Sequence, residues 1–204
     1  MAGTTADIRL IVGLGNPGSQ YAQTRHNAGY WLLDSIAERF AAVMKPESKF
    51  YSEVGRATIN ANQVYLGKPA KFMNESGQCV APLMKFYKIE PEQCLVIHDE
   101  LDLPPGQARV KQGGGHGGHN GLRDIIARIG SKEFWRIRVG IGHPGHKSAV
   151  AGYVLKRAPA DDERLIEEVS DIVLGEVDRI IGGDLNAAMK VIHSHKPALS
   201  DQSN

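Results

Sequence analysis

Apolar residues along the chain fall into short dense runs and longer periodic ones. IRLIV (residues 8–12) and CLVI (94–97) are dense enough to predict buried strands, the second leading into His98-Asp99-Glu100. YWLLDSIAERFAAV (30–43) repeats its apolar positions at helical spacing, as do the stretches 76–87 and 121–129. Residues 160–181 predict a long amphipathic helix, with a shorter one at 185–192. Strands are predicted at 50–59 and 63–66, joined by a turn near Asn60-Ala-Asn62, and at 108–112 and 134–141, the last with alternating arginines. Strands alternating with helices predict an α/β fold: a single-domain sandwich whose central mixed sheet is flanked by helices. Neither a repeat nor a linker divides the pattern. Residues 1–204 therefore read as one domain, with an ordered core over about 8–194 and a polar, frayed tail in KPALSDQSN.

Composition supports this. A chain of 204 residues with 42% hydrophobic content suits one domain with a substantial core. No apolar stretch approaches the ~20 residues of a membrane span, and MAGTTADIRL lacks the basic and apolar regions of a secretory signal. Cys79 and Cys94 have no metal-ligand spacing and read as reduced thiols of a cytosolic protein. The net charge of +1 hides an asymmetry. From Pro105 to Arg157 ten basic residues (Arg109, Lys111, Arg123, Arg128, Lys132, Arg136, Arg138, Lys147, Lys156, Arg157) accompany only Asp124 and Glu133. From Ala158 to Ile192 nine acidic residues face three basic ones. Such a chain can present a polyanion-binding face, or merely an uneven surface.

The first strand runs into Gly13-Leu-Gly15-Asn-Pro-Gly18, which matches the G-x-G-x-x-G pattern of a dinucleotide-binding turn. That turn needs a helix starting inside it and an acidic residue closing a second strand. Here Pro17 and a polar segment separate the glycines from the helix, and Asp34 and Glu38 fall within that helix. The pattern reads instead as a tight turn at a strand's carboxyl end, carrying Asn16 with His26 behind it.

If the first and second buried strands run parallel, Asp99 can reach His26. A carboxylate on one imidazole nitrogen fixes the tautomer and makes the other nitrogen a general base; otherwise Asp99 merely caps a turn. No G-x-S-x-G appears and neither cysteine has a nucleophile's setting, so activated water is favoured over a covalent intermediate. Asn16, Asn74 and Asn120 occupy loops expected near this edge and can hold a water, a carbonyl or an oxyanion, though each alone also suits a turn or cap. His116-x-x-His119 and His143-x-x-His146 raise a metal site, but no H-E-x-x-H or cysteine cluster supports one.

Taken in order, VGLGNPGSQYAQTRHNAG, KFMNESG, HDELDLPPG, GGGHGGHNGLRDI and RIRVGIGHPG closely resemble the bacterial peptidyl-tRNA hydrolase family over most of the chain. The resemblance implies a cytoplasmic, monomeric enzyme that uses neither metal nor cofactor. It would hydrolyse the ester between a peptide and the 3′ ribose of tRNA and so recycle tRNA from prematurely released peptidyl-tRNA. His26 would be the general base and Asp99 its support. Asn16 would discriminate peptidyl-tRNA from aminoacyl-tRNA, and Asn74 and Asn120 would position substrate and water. Tyr21, Phe72 and Met73 would line the cleft, with His119 beside it. Lys111 and Arg138, with Arg109 and Lys147, would contact tRNA phosphates, which give affinity without sequence readout. One position departs: Lys71 in KPAKFMN stands where the family has threonine. The rival implied by the same fold is a non-catalytic, splicing-factor-like RNA-binding protein, against which the retained His26, Asp99 and asparagines speak.

Overall fold

A computed structural model of the chain describes residues 7–197. Its strands are β1 (Leu10–Gly13), β2 (Lys45–Glu47), β3 (Ser52–Ile59), β4 (Asn62–Pro69), β5 (Cys94–Glu100), β6 (Ala108–Gln112) and β7 (Trp135–Gly140). They form one sheet in the order β2-β3-β4-β1-β5-β7-β6. The central pairs β1–β4, β1–β5 and β5–β7 are parallel, and the outer pairs are antiparallel. The sheet is mixed, as the alternating pattern predicts. β1 is buried throughout and β5 is buried as far as Asp99, the condition of strands covered on both faces.

Alternation along the strands divides the core. Ile11, Leu95, Ile97, Ile137 and Val139 pack under α1 (Ala28–Arg39), α5 (Ala160–Ile181) and α6 (Leu185–Ser194). Leu10, Val12, Cys94 and Val96 pack on the opposite side, under α2 (Ser76–Tyr87) and α3 (Asn120–Ile129). No described helix is long and apolar enough to cross a membrane.

Several boundaries differ from the sequence pattern, each for a local reason. α1 begins at Ala28 and stops at Arg39, short of residue 43, because Ala41 turns to a φ of 51°. β5 runs past Ile97 to Glu100, since its ladder with β7 continues to Glu100↔Gly140. Phe50 lies in a short 3-10 turn rather than in a strand. The hairpin turn is formed by Asn60 and Ala61 at φ 48° and 64°, the left-handed pair of a type I′ turn. Two elements have no periodic signature: β2, a three-residue edge strand containing Pro46, and α4 (Val150–Val154). The other edge, β6, is covered where Val110 N–H donates to His193 Nε2 at 2.9 Å. The tail KPALSDQSN lies, from residue 198 on, outside the described residues, as do the first six residues.

The glycines of the opening turn serve packing. A Cβ on Gly13 would lie 2.4 Å from the Gly29 carbonyl, and one on Gly29 would lie 2.4 Å from the carbonyl of Ile97. The start of α1 therefore lies directly on the carboxyl ends of β1 and β5, and only backbone fits between them.

Candidate active site

The parallel pairing Gly13↔Ile97 sets the carboxyl ends of β1 and β5 side by side, so Asn16 and Asp99 emerge at one edge of the sheet. His26 comes from a 3-10 turn (Arg25–Asn27) that leads directly into α1. His119 is the N-cap of α3, at the end of the glycine loop.

Asp99 is the hub. It is 3% exposed, and it accepts from His26 Nδ1 at 2.9 Å (Oδ1) and 3.0 Å (Oδ2) and from His119 Nε2 at 2.9 Å (Oδ1). Burial alone would raise its pKa, but the two imidazoles, His26 first, hold it well below the usual carboxylate range. An ionised Asp99 only accepts, so His26 Nδ1 carries its proton and Nε2 keeps its lone pair. His26 lines a cavity of about 560 Å³ with Asp99, Leu101, His116, Asn120 and Val150. Burial pulls the His26 pKa down, and Asp99 more than offsets this, leaving it raised above 6.5. The protonated form of the ring is thus stabilised from behind by the carboxylate.

His119 is placed more tightly than a residue beside a cleft. Its Nδ1 accepts from the N–H groups of Gly121 (3.2 Å) and Leu122 (3.3 Å) and so bears no proton. Nε2 is then the protonated nitrogen that donates to Asp99. Sequence spacing gave no sign of this bond; the position before a helix start was the available clue. His98 Nδ1 donates to the Asp99 carbonyl at 2.7 Å, its ring meets His119 edge-on at 5.0 Å, and burial pushes its pKa down to about 3.

His26, Asp99 and His119 bring three potential metal ligands within 4.8 Å of one another. The hydrogen-bond pattern fits a metal poorly. Ligation by His119 Nε2 would move its proton to Nδ1, which faces two backbone donors, and the histidine nitrogens already lie in direct contact with Asp99.

Asn16 is also fixed. Its N–H donates to Asn27 Oδ1 (2.8 Å), its carbonyl accepts from Asn27 Nδ2 (3.0 Å), and its Oδ1 accepts from the Met73 N–H (2.7 Å). The carboxamide is thereby oriented with Nδ2 as its remaining donor. Asn27, in the same TRHNAG stretch, escaped the sequence reading because its role is to hold a backbone. Met73 meets the site through this N–H; its side chain is 3% exposed and packs in the core, not along the cleft wall. Phe72 is half exposed and meets Tyr21 edge-on at 6.1 Å, joining the two loops that carry them. Asn74 and Asn120 are exposed, and Asn120 Oδ1 accepts from Arg123 at 3.2 Å.

The two cysteines stand apart from this chemistry. Both are buried free thiols; Cys94 lies at the far end of β5 and burial pushes it up to about 12.

Among the cations, Arg109 pairs in register with Arg138, and Lys111 with Arg136. All four alternate with Val110, Ile137 and Val139 and therefore share the face of the sheet opposite α5. Arg138 Nε bonds Glu100 at 2.8 Å, and Arg109 donates to the carbonyl of Ala108 at 2.9 Å. Lys147 is exposed on the cavity wall. Arg136 is different: it is 3% exposed and belongs to the interior, so it leaves the polyanion-facing set. Lys71 is engaged on its own flank, by Gln78 (2.7 Å), Glu75 (3.5 Å) and the face of Tyr51 (4.5 Å).

The family model described as peptidyl-tRNA hydrolase matches residues 10–200. A peptidyl-tRNA hydrolase of Marinomonas sp. is 53% identical over 192 residues, covering 94% of this chain and 99% of the relative. That of Haemophilus influenzae is 51% identical, with the same coverages. The crystal structure of the Acinetobacter baumannii peptidyl-tRNA hydrolase superposes with a TM-score of 0.93 at 48% identity, covering 97% of this chain and all of that one.

Proposed function

The chain belongs to the peptidyl-tRNA hydrolase family, and from that premise we propose how it cleaves its substrate. It is an enzyme that hydrolyses peptidyl-tRNA. In the proposed mechanism water sits at His26 Nε2, which takes its proton as the oxygen attacks the ester carbonyl. The imidazolium is stabilised by Asp99, which stays ionised. The tetrahedral oxyanion accepts from the carboxamides of Asn16 and Asn120, with Asn74 at the substrate side. Collapse breaks the bond to the 3′ ribose oxygen, which leaves with the proton held on His26. The products are a free peptide carboxylate and tRNA with its 3′ hydroxyl restored.

Phe72 and Tyr21 form the rim of the cleft on the substrate side. Lys111 and Arg138, then Arg109, contact tRNA phosphates from the face opposite α5, and Lys147 does so from the cavity wall. In this reading the working unit is a monomer that acts in the cytoplasm on peptidyl-tRNA released prematurely from the ribosome. The observation that carries the reading is the His26 Nδ1–Asp99 bond of 2.9 Å, which leaves Nε2 toward the cavity. His26→Ala is expected to fold normally and to bind tRNA, yet to lose about 10²–10⁴-fold in turnover. Hydrolysis near the parent rate would refute the assignment.

A further inference from the structure

The loop GGGHGGHNG carries His119 and Asn120 into the site, yet almost nothing in its own sequence can hold it. Gly113, Gly114, Gly117 and Gly118 all have positive φ (68°, 98°, 56° and 85°), which side chains rarely adopt. A Cβ on Gly115, Gly117 or Gly118 would meet nothing within 4 Å. The loop has no apolar group to bury, so its position must come from hydrogen bonds to its carbonyls and N–H groups.

Those bonds reach the sheet at two places. Gly113 N–H donates to the Phe134 carbonyl at 3.0 Å, just before β7. Beyond it, Arg136 Nη1 donates to the Gly115 carbonyl at 2.6 Å, and Nη2 donates to the Gly114 carbonyl. Among the described residues, no other hydrogen bond reaches Gly114 or Gly115. The following bonds are internal: Gly118 N–H to His116 Nδ1 at 3.0 Å, and His119 N–H to the His116 carbonyl at 2.8 Å. The guanidinium that makes this strap is buried and lies 4.6 Å over the Phe134 ring. A planar fork stacked on a ring and bonded to two successive carbonyls is a geometry a lysine's single ammonium cannot reproduce.

We propose that Arg136 is a positioning residue for hydrolysis: it straps the glycine loop to β7 and thereby sets where His119 and Asn120 meet Asp99 and the substrate. It is not a phosphate contact, although it is the first arginine of the Arg136-Ile137-Arg138 run of β7. The part of this inference that concerns catalysis rests on the mechanism proposed above; the strap itself does not.

Arg136→Lys separates the roles. Hydrogen exchange of the amides over residues 113–118 should accelerate about tenfold or more while the rest of the sheet keeps its protection. In the same variant kcat should fall about tenfold, with KM and the affinity for uncharged tRNA within about twofold of the parent. Arg136→Gln should be worse in kcat and equally unchanged in tRNA affinity. A raised KM with a shallower salt dependence would make Arg136 an RNA contact and overturn the proposal, as would a loosened loop with unchanged kcat. Should both variants fail to fold, the parent protein still decides. Its Arg136 guanidinium protons should give separate, slowly exchanging resonances, and averaging like those of exposed Arg123 would overturn the strap. The exchange and resonance measurements use no substrate, so they stand whether or not His26 proves to be the base.

Discussion

At the scale of single residues, the site fixes which atom of each polar group is left free. Asp99 accepts from His26 Nδ1–H and from His119 Nε2–H, so each ring has one defined tautomer. Asn27 does the equivalent for Asn16 by bonding both its N–H and its carbonyl, while Met73 N–H takes Oδ1 and leaves Nδ2 to donate. Asn27→Ala removes both backbone bonds without removing the His26–Asp99 pair. It should lower kcat about tenfold or more, with little change in the pH at which the acid limb falls, measured by single-turnover hydrolysis. The sequence revealed the candidates His26, Asp99 and Asn16 because their residue types are chemically conspicuous. It concealed Asn27 and the His119–Asp99 bond, because those depend on which nitrogen faces which oxygen.

At the scale of elements, the decisive contact is α1 lying on the ends of β1 and β5. Gly29→Ala would drive a Cβ to 2.4 Å from the Ile97 carbonyl and 2.6 Å from two backbone atoms of Leu14, none of which can move without displacing the site. The expected cost is about 3 kcal/mol or more, read from denaturant or thermal unfolding. Gly175, exposed in mid-α5 with nothing within 4 Å of a Cβ, gives the opposite result: Gly175→Ala should stabilise by about 0.5–1 kcal/mol. Helices with a clear period, such as α2 and α5, were legible at both ends. The same is true of β6, whose alternating pattern stops where the glycines begin. β2 and α4 were not, because three and five residues carry no period and their formation depends on neighbours already in place. The G-x-G-x-x-G pattern was legible as a mimic, but its physical purpose, admitting Gly29 and the Tyr30 ring, required the packed structure.

At the scale of the whole molecule, charge is sorted by faces. The acidic α5 covers one side of the sheet, while Arg109, Lys111 and Arg138 lie on the other. The near-zero net charge therefore conceals an oriented molecule, as the run of basic residues suggested. The structure corrects that count by withdrawing Arg136, whose burial a linear charge tally cannot see. Lys111→Ala and Arg138→Ala should raise KM more than they lower kcat. Each should also reduce the slope of log affinity against log salt by about 1. Affinity for tRNA that ignores salt would remove the phosphate contacts from the mechanism.

The most direct test of His26 as a base supported by an ionised Asp99 is the pH dependence of single-turnover hydrolysis in the parent and in Asp99→Asn. In the parent, activity requires neutral His26, so the rate should rise with pH through a pKa above 6.5, because the neighbouring carboxylate stabilises the protonated ring. The amide of Asp99→Asn keeps an acceptor at Oδ1 but removes the charge. The rate should fall by about 10²–10⁴-fold, and the remaining acid limb should move to lower pH. An unchanged acid limb, or a rate close to that of the parent, would contradict the pairing on which the mechanism rests.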